Sequence, residues 1–457
     1  MKNQRPFFLT TDFLLSAVLC LYAASLYFAN RVVVCATVLM VAVGAALVIY
    51  RIGSGKQPLL RPHPFVYCWL AVYAVRVVWL LFSNDPQNGL RWVDTGLPFI
   101  LFPLLFQYLP LNERILKTVL AFFVHFTLLF CVVTLFTVAY HSITVPVGIK
   151  EWLLHPKSYP FGYRWTNYDH PSFLCIIYLM ALPVSVYLRR RYRAVSMVEI
   201  VALIVAEAAV LAFTGARVGF VLFPGLLFLM LLYSWRSSAG SRQSSVGSQH
   251  LAVSSRQPAA GSQQIQYSGV SHCLLKTKNC LLSTKNCRLK IACCLLLIAG
   301  VAVIGLRGFG SQFAERFKDP PRMHLWEATM ASIKEKPLLG TGTGGMDAVI
   351  GAPELSEKIG QTLSYPHNQY LGEVMHFGFI GATALFATLA YLLVLAFRRK
   401  DFLWLSLLFV LFVFMFTEMP LDSHKGINFF LFFMSLFMVS GFSFNVSGCW
   451  RQPTLSS

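Results

Sequence analysis

The feature that most constrains this sequence is its series of about twelve long apolar blocks, which are separated by short polar breaks. A helix needs about 20 apolar residues to cross a membrane, and each block has about that length. Only 12% of the 457 residues are charged, about half the share of a soluble domain. This composition excludes a soluble globular enzyme, a disordered chain and a secreted disulfide scaffold. We predict an all-α polytopic membrane protein with about 12 transmembrane helices.

Five regions follow from the predicted spans. They are spans one to eight with an outer loop at about 140–171 (1–235), a disordered basic cytoplasmic loop (236–290), the ninth span (291–306), a large helical outer loop (307–371), and the last three spans with a short tail (372–457). The spans themselves are predicted at 13–29, 32–50, 64–82, 93–109, 118–139, 172–188, 196–213, 218–234, 291–306, 372–397, 402–418 and 428–444.

Basic residues indicate how the chain is oriented. The net charge is +19, and the basic runs at 189–193 and 398–400 fall in loops on the same side as the N-terminus. Cytoplasmic loops carry the excess of Lys and Arg in membrane proteins, so we predict that both termini are cytoplasmic. In a soluble protein this charge would indicate nucleic acid. Here it is a topology signal, and we expect membrane lipids and no nucleic acid as partners.

The outer loop at 307–371 contains two predicted helix starts. Asp-Pro-Pro at 319–321 supplies an N-cap and prolines for a first turn. Pro337 ends this first helix, and Ser-Tyr-Pro-His at 364–367 begins a second helix that continues into the tenth span. Apolar residues recur at spacings of three and four along the first helix, which predicts one apolar stripe of Met323, Trp326, Met330 and Ile333.

Two arginines lie on the predicted outer side, where a lipid-linked phosphate would meet the protein. Arg217 sits in a tight turn between spans seven and eight, and Arg322 opens the loop helix. A guanidinium group binds phosphate bidentately, and a cation at a helix N-terminus opposes the helix dipole unless an anion compensates it. The alternatives are a snorkelling arginine at 217 and an ordinary surface arginine at 322.

His367 is the candidate general base. We predict that it stands in the first turn of the helix that re-enters the membrane, where the positive helix end favours the neutral imidazole. A neutral imidazole can accept the proton of a hydroxyl nucleophile. Asn368 and Tyr370 are candidates to orient this imidazole or to cap the helix. The alternative is a histidine with a purely structural role.

Other charges suggest further hypotheses. Arg76 and Glu207 lie within predicted spans, where a charge is costly, so we expect them to pair with each other or to line a cavity. Glu418, Asp422 and His424 lie at the end of the eleventh span and in the loop after it. They form a secondary site or, as the simpler account, are exposed loop charges.

Two familiar ligand motifs are absent. The glycine-rich run at 340–345 lacks the Gly-Lys-Ser/Thr ending of a nucleotide-binding loop, although its glycines permit a close approach of the backbone to a ligand. No metal-binding pattern faces the outer side. Since ATP is not generally available outside the inner membrane, group transfer there needs a pre-activated donor. A polyprenyl-diphosphate sugar fits, and paired arginines can offset the diphosphate charge. We expect no metal or other cofactor.

Together these motifs resemble the bacterial O-antigen ligase family, with the best likeness over about 200–400. The motifs are Arg-x-Gly at 217–219, Arg322 with Trp326 four residues later, Pro-Leu-Leu-Gly-Thr-Gly at 337–342, and His-Asn-Gln-Tyr-Leu at 367–371 leading into Gly-Phe-Ile-Gly at 378–381. Two features depart from the family pattern, namely Gly-Ala before Arg217 and the cytoplasmic insertion at 236–290.

The resemblance implies a fold similar to the lipid-linked-sugar glycosyltransferases. It also implies metal-independent, inverting transfer of a polysaccharide from undecaprenyl diphosphate to a sugar hydroxyl of lipid A–core, at the periplasmic face of the bacterial inner membrane. Matched by motif, Arg217 and Arg322 would bind the donor diphosphate, and His367 would activate the acceptor. The alternatives are an O-antigen polymerase or a protein O-oligosaccharyltransferase of the same superfamily, and a transporter or flippase, for which Arg76 and Glu207 are the main evidence.

Overall fold

The computed structural model describes residues 11–55, 62–144, 171–214, 218–234, 320–360 and 365–442. Within these ranges the chain folds into α-helices and one short 3-10 helix (Trp79–Phe82), without a strand. The helices are α1 (Thr11–Ser25), α2 (Asn30–Gly53), α3 (Pro64–Val78), α4 (Pro86–Thr95), α5 (Pro98–Tyr108), α6 (Glu113–Thr144), α7 (Pro171–Tyr192), α8 (Met197–Thr214), α9 (Val218–Ser234), α10 (Pro320–Glu335), α11 (Met346–Ile350), α12 (Pro353–Ile359), α13 (Gln369–Arg399), α14 (Phe402–Met415) and α15 (His424–Phe442).

Six helical segments in the described ranges are long and apolar enough to cross a membrane. They are Asn30–Gly53, Pro64–Phe82, Pro86–Tyr108, Glu113–Thr137, Ser172–Tyr192 and Gln369–Arg399. The predicted all-helical class with several candidate spans is thus confirmed. The count of twelve and the outer loop between spans nine and ten stay predictions, because the predicted ninth span lies outside the described residues.

The chain divides into two compact units. The first contains residues 1–226 and 319–457, and the second contains residues 227–318. The described part of the second unit is the end of α9, at 227–234. All residues of the candidate site that are described below belong to the first unit.

Helix α15 lies at the centre of the first unit. A helix that is apolar on every side has to be surrounded by protein or lipid, and the aromatic rings of Phe429, Phe432 and Phe433 are completely buried here. Tyr22 of α1 packs against Phe432 and donates a hydrogen bond to the side chain of Asn428 (3.0 Å). These contacts fix the start of α15 and therefore the loop at 416–423 that precedes it.

Helix α13 is interrupted at Gly378, which has φ +60° and ψ −175°. The span predicted at 372–397 lies within this helix, which is long and apolar enough to cross a membrane, but the sequence did not predict the interruption. The N–H groups at the start of the second half need acceptors, and carbonyl oxygens from the loop supply them. Phe379 N–H donates to Pro337 O (2.8 Å), and Ile380 N–H donates to Leu338 O (3.3 Å).

The first half of α13 is completed by the same loop. Its last carbonyl groups accept from the glycine-rich turn, as Thr341 N–H donates to Met375 O (2.8 Å) and Gly342 N–H donates to His376 O (2.9 Å). Irregular backbone is tolerated at a membrane helix when protein partners satisfy its polar groups. The segment at 337–342 is therefore built into the interruption and ties α10 to α13.

The glycine-rich turn contacts protein backbone rather than an open ligand space. Gly342 and Gly344 have φ values of +80° and +88°, a region that side chains disfavour. A Cβ atom at Gly342 would also collide with the backbone of Ser83, and one at Gly344 with the backbone of Gly89. The close approach that these glycines permit is therefore to backbone of this chain, and an approach to a ligand stays a prediction.

We expect Gly378→Ala to lower the free energy of unfolding by about 2–4 kcal/mol. Its backbone angles are close to glycine-only, and a Cβ atom would collide with the carbonyl group of Leu338. Thermal unfolding of the purified protein in detergent measures the effect. Gly53→Ala is the matched control, since a Cβ atom there meets nothing within 4 Å, and equal stability of the two variants would contradict the expectation.

Candidate functional site

Three segments that are distant in sequence meet at one carboxylate. They are the first turn of α10, the residues just before α13, and the loop between α14 and α15. Glu418 of that loop is 1% exposed. It accepts a hydrogen bond from Arg322 Nη2 at 3.3 Å, and its other oxygen lies 2.8 Å from His367 Nδ1. The structure therefore brings together two of the predicted site residues, Arg322 and His367.

The contact with Glu418 determines which imidazole nitrogen of His367 can act as a base. A carboxylate accepts hydrogen bonds, so we assign the proton of the neutral ring to Nδ1. Nε2 then carries the lone pair. The arrangement matches the histidine–carboxylate pairs of acid–base enzymes, in which the carboxylate also stabilises the imidazolium that forms. Sequence reasoning missed this role of Glu418.

His367 lies outside its helix, just before the N-cap. Asn368 is the N-cap of α13, and its side chain accepts a hydrogen bond from Leu371 N–H at 3.1 Å. His367 therefore precedes the helix rather than standing in its first turn. Its φ of +52° is left-handed, a conformation that costs free energy in a residue with a side chain. Strain of this kind persists where the surroundings hold a side chain in one position.

Asn368 and Tyr370 do not orient the imidazole in the described structure. Asn368 caps the helix, which was one of its two predicted roles. The Tyr370 hydroxyl donates to Phe412 O at 3.0 Å, and its ring packs against Phe416. Tyr370 thus ties α13 to α14.

Only part of the predicted apolar stripe of α10 packs against the protein. Met323, Trp326 and Met330 are exposed, whereas Ile333 is buried together with Leu325. The stripe was predicted from spacing, and spacing does not show which side of a helix a partner covers. The indole N–H of Trp326 donates to Pro366 O at 2.9 Å, so the exposed tryptophan borders the residue before His367.

A second set of polar contacts, made by Arg76 and Asp422, supports the loop that carries Glu418. Arg76 Nη2 of α3 donates to the Asp422 carboxylate at 2.5 Å and to Leu421 O at 3.2 Å. Arg76 pairs with Asp422 instead of Glu207, so the first of the two predicted alternatives is wrong. Glu207 is buried, and neither of its carboxylate oxygens has a hydrogen-bond partner in the described structure.

Gln369, the first residue of α13, connects the contacts of Asp422 to those of Glu418. Its backbone N–H donates to Glu418 O (3.2 Å), and its amide oxygen accepts from Leu421 N–H (3.0 Å). Its amide nitrogen donates to Asp422 (2.6 Å) and to Glu373 (3.2 Å). Gln369 therefore holds the whole 418–422 loop against the helix that follows His367. Sequence reasoning did not single out this residue.

The predicted loop charges have different surroundings from those expected. Glu418 is buried and the Asp422 side chain is 2% exposed, so the simpler account of exposed loop charges is wrong for both. His424 lies 3.4 Å from the Thr95 hydroxyl. A signal was available in the sequence, since three ionisable residues stand within seven positions at the end of an apolar helix.

Some predicted features lie outside the described residues. Arg217 and the outer loop at about 140–171 fall in ranges outside the described residues, apart from the end of α6 and the start of α7. The role of Arg217 in binding phosphate stays a prediction. Over the parts of the chain that the structure describes, no group of three or more His, Cys, Asp or Glu side chains is arranged to hold a metal ion.

Fold and site define an all-helical protein with several candidate membrane spans and a buried carboxylate that joins an arginine to a histidine. Residues 200–386 match a family model described as O-Antigen ligase. This match covers less than half of the chain, and it supports the predicted O-antigen ligase family. The matched range includes Arg217, Arg322 and His367, whereas Glu418 lies beyond it. Among curated proteins, none matches this chain.

Proposed function

We propose that this protein is an O-antigen ligase of the bacterial inner membrane. It transfers a polysaccharide from undecaprenyl diphosphate to a sugar hydroxyl of lipid A–core, at the periplasmic face. The observation that supports this proposal most is the position of Glu418 between Arg322 and His367. The base and the cation thus contact different oxygens of the same carboxylate, which holds them near each other.

The reaction uses His367 as a base. Its Nε2 takes the proton of the acceptor hydroxyl, and the oxygen attacks the anomeric carbon of the donor sugar from the face opposite the diphosphate. The new carbon–oxygen bond forms as the bond to the diphosphate oxygen breaks, so the anomeric configuration inverts. Glu418 stabilises the imidazolium that results, and the proton later passes from His367 to solvent.

Arg322 receives the charge that develops on the leaving diphosphate. A guanidinium group has five N–H donors, and about a quarter of the Arg322 side chain is exposed (24%). It can therefore donate to an anion while it keeps its bond to Glu418. A fixed cation stabilises a leaving diphosphate most effectively where water is excluded. Arg217 would contribute a second cation, as the family motif implies.

The polysaccharide profile of cells that lack the gene tests the proposed acceptor. Loss of a ligase leaves lipid A–core without any O-antigen repeat. Loss of an O-antigen polymerase instead leaves one repeat unit on the core, and loss of a protein O-oligosaccharyltransferase leaves lipopolysaccharide unchanged. A normal ladder of lipopolysaccharide bands on a gel would contradict the proposal.

We expect Arg322→Gln to lower kcat/KM for the lipid-linked donor about 10- to 100-fold, as loss of a charged hydrogen bond predicts. Arg322→Lys should recover only part of this loss, because an ammonium group cannot donate bidentately. Transfer is measured with purified protein, lipid-linked glycan and lipid A–core. Arg31→Gln, at an exposed position in the first turn of α2, is the control. Unchanged transfer by Arg322→Gln would contradict a role in holding the diphosphate.

A further inference from the structure

Trp326, an aromatic side chain beside the candidate site, is exposed rather than buried in a packed core. Trp326 of α10 is 36% exposed, and its neighbours on the same side of the helix, Met323 and Met330, are exposed as well. An exposed group of large apolar side chains marks a surface that a partner, a membrane or a ligand covers, and this one lies on the helix that carries Arg322. Trp326 takes no part in the proton transfer proposed above.

The ring of Trp326 is held in one place. Its indole N–H donates to Pro366 O at 2.9 Å, and Pro366 is buried and directly precedes His367. A second aromatic ring borders the same histidine, since the Tyr365 ring centroid lies 4.5 Å from that of His367. The Tyr365 ring therefore lies against the proposed base, and Trp326 is bonded to the residue that precedes it.

Trp326 also has a fixed relation to Arg322. The two residues are four positions apart on α10, so their side chains lie on the same side of the helix, about one turn of 5.4 Å apart. In a lipid-diphosphate donor, the first sugar is bonded directly to the diphosphate. If Arg322 binds the diphosphate, that sugar has to lie within about the distance of one helical turn.

Sugar rings have the chemistry that suits this position. The C–H groups of a pyranose form an apolar face with a partial positive charge, and an indole ring offers a large apolar face that is partly negative. The hydroxyl groups of the sugar stay at the ring edge, where water and polar side chains can reach them. An exposed, hydrogen-bonded tryptophan is therefore a stacking platform for a sugar.

From this geometry we infer that Trp326 stacks against the sugar ring that is bonded to the donor diphosphate. The inference rests on the proposed function and adds the subsite for the first donor sugar. It predicts that the protein distinguishes a lipid diphosphate with a sugar from one without, and that Trp326 provides this discrimination while Arg322 binds both.

Binding of two probes to the purified full-length protein tests the inference. The probes are undecaprenyl diphosphate and undecaprenyl diphosphate that carries one N-acetylglucosamine. We expect the second probe to bind the unchanged protein about tenfold more tightly. Trp326→Leu should abolish this difference and leave the affinity for undecaprenyl diphosphate unchanged. Trp326→Phe should keep most of the difference, because it keeps an aromatic face while it loses the hydrogen bond to Pro366.

The phenylalanine variant separates stacking from a structural role. If Trp326 only positions the segment before His367, both Trp326 variants lose the same bond and behave alike, which would overturn the inference. Equal binding of the two probes by the unchanged protein would also overturn it, as would an unaltered difference in Trp326→Leu. Failure of the proposed function is distinct, since Arg322→Gln would then leave the affinity for both probes unchanged.

Discussion

His367→Gly is expected to lower the rate of glycan transfer about 1,000-fold, within the range for loss of a general base. Glycine is the informative replacement, because the backbone at this position has φ +52° and glycine adopts that angle without strain. The variant removes the imidazole without adding a backbone conflict. Transfer from a lipid-linked glycan to lipid A–core is the measurement, together with the affinity for the donor, which should change little.

A second imidazole–carboxylate pair in this chain provides the control. His125 Nε2 lies 3.0 Å from a Glu199 carboxylate oxygen, and both side chains are partly exposed. His125→Gly tests whether loss of such a pair by itself impairs the protein, and we expect normal transfer. If His367→Gly retains more than about a tenth of the normal rate, well above what loss of a general base allows, His367 is not the base.

Glu418→Gln is expected to lower the transfer rate about 100- to 1,000-fold, by analogy with the effect of an amide at the carboxylate of a catalytic triad. The amide keeps the shape of the side chain, and its oxygen can still accept from Arg322. Its NH₂ group would then face His367 Nδ1, which has to become an acceptor. The proton moves to Nε2, the nitrogen that the proposed mechanism needs as a base.

Glu418→Gln tests the tautomer of His367 rather than the packing around Glu418. Glu418→Gln should keep the thermal stability and the donor affinity of the unchanged protein, whereas Glu418→Ala removes the buried carboxylate that both Arg322 and His367 contact and should be less stable. Glu199→Gln is the matched control at the exposed pair. Normal transfer by Glu418→Gln would contradict the role of Glu418 in holding the Nδ1–H tautomer.

Sequence reasoning predicted the helical class and several of the site features. Apolar blocks of membrane length and cap residues are local signals, so the helices could be predicted. Arg322 and His367 were singled out because their residue types suit phosphate binding and proton transfer. Their roles stay predictions, although the structure brings both side chains to one carboxylate.

The remaining features depend on contacts between distant segments. Glu418 lies 51 positions from His367 and 96 from Arg322, and no local pattern indicates that a loop acid is buried against both. The partner of Arg76 depends in the same way on the path of the loop before α15. Gly378 shows a related limit. Its left-handed backbone follows from the docking of Pro337 and Leu338, a contact that a helical pattern does not reveal.

The interruption of α13 bears on how the protein responds to its bilayer. The part of the helix after Gly378 is about 30 Å long at 1.5 Å per residue, which equals the thickness of an average hydrocarbon core. Thicker or thinner bilayers change the tilt of such a helix. Because the segment at 337–342 is bonded to both halves, the helix and α10 tilt as one body. We therefore expect the spacing between Arg322 and His367 to change little with lipid chain length.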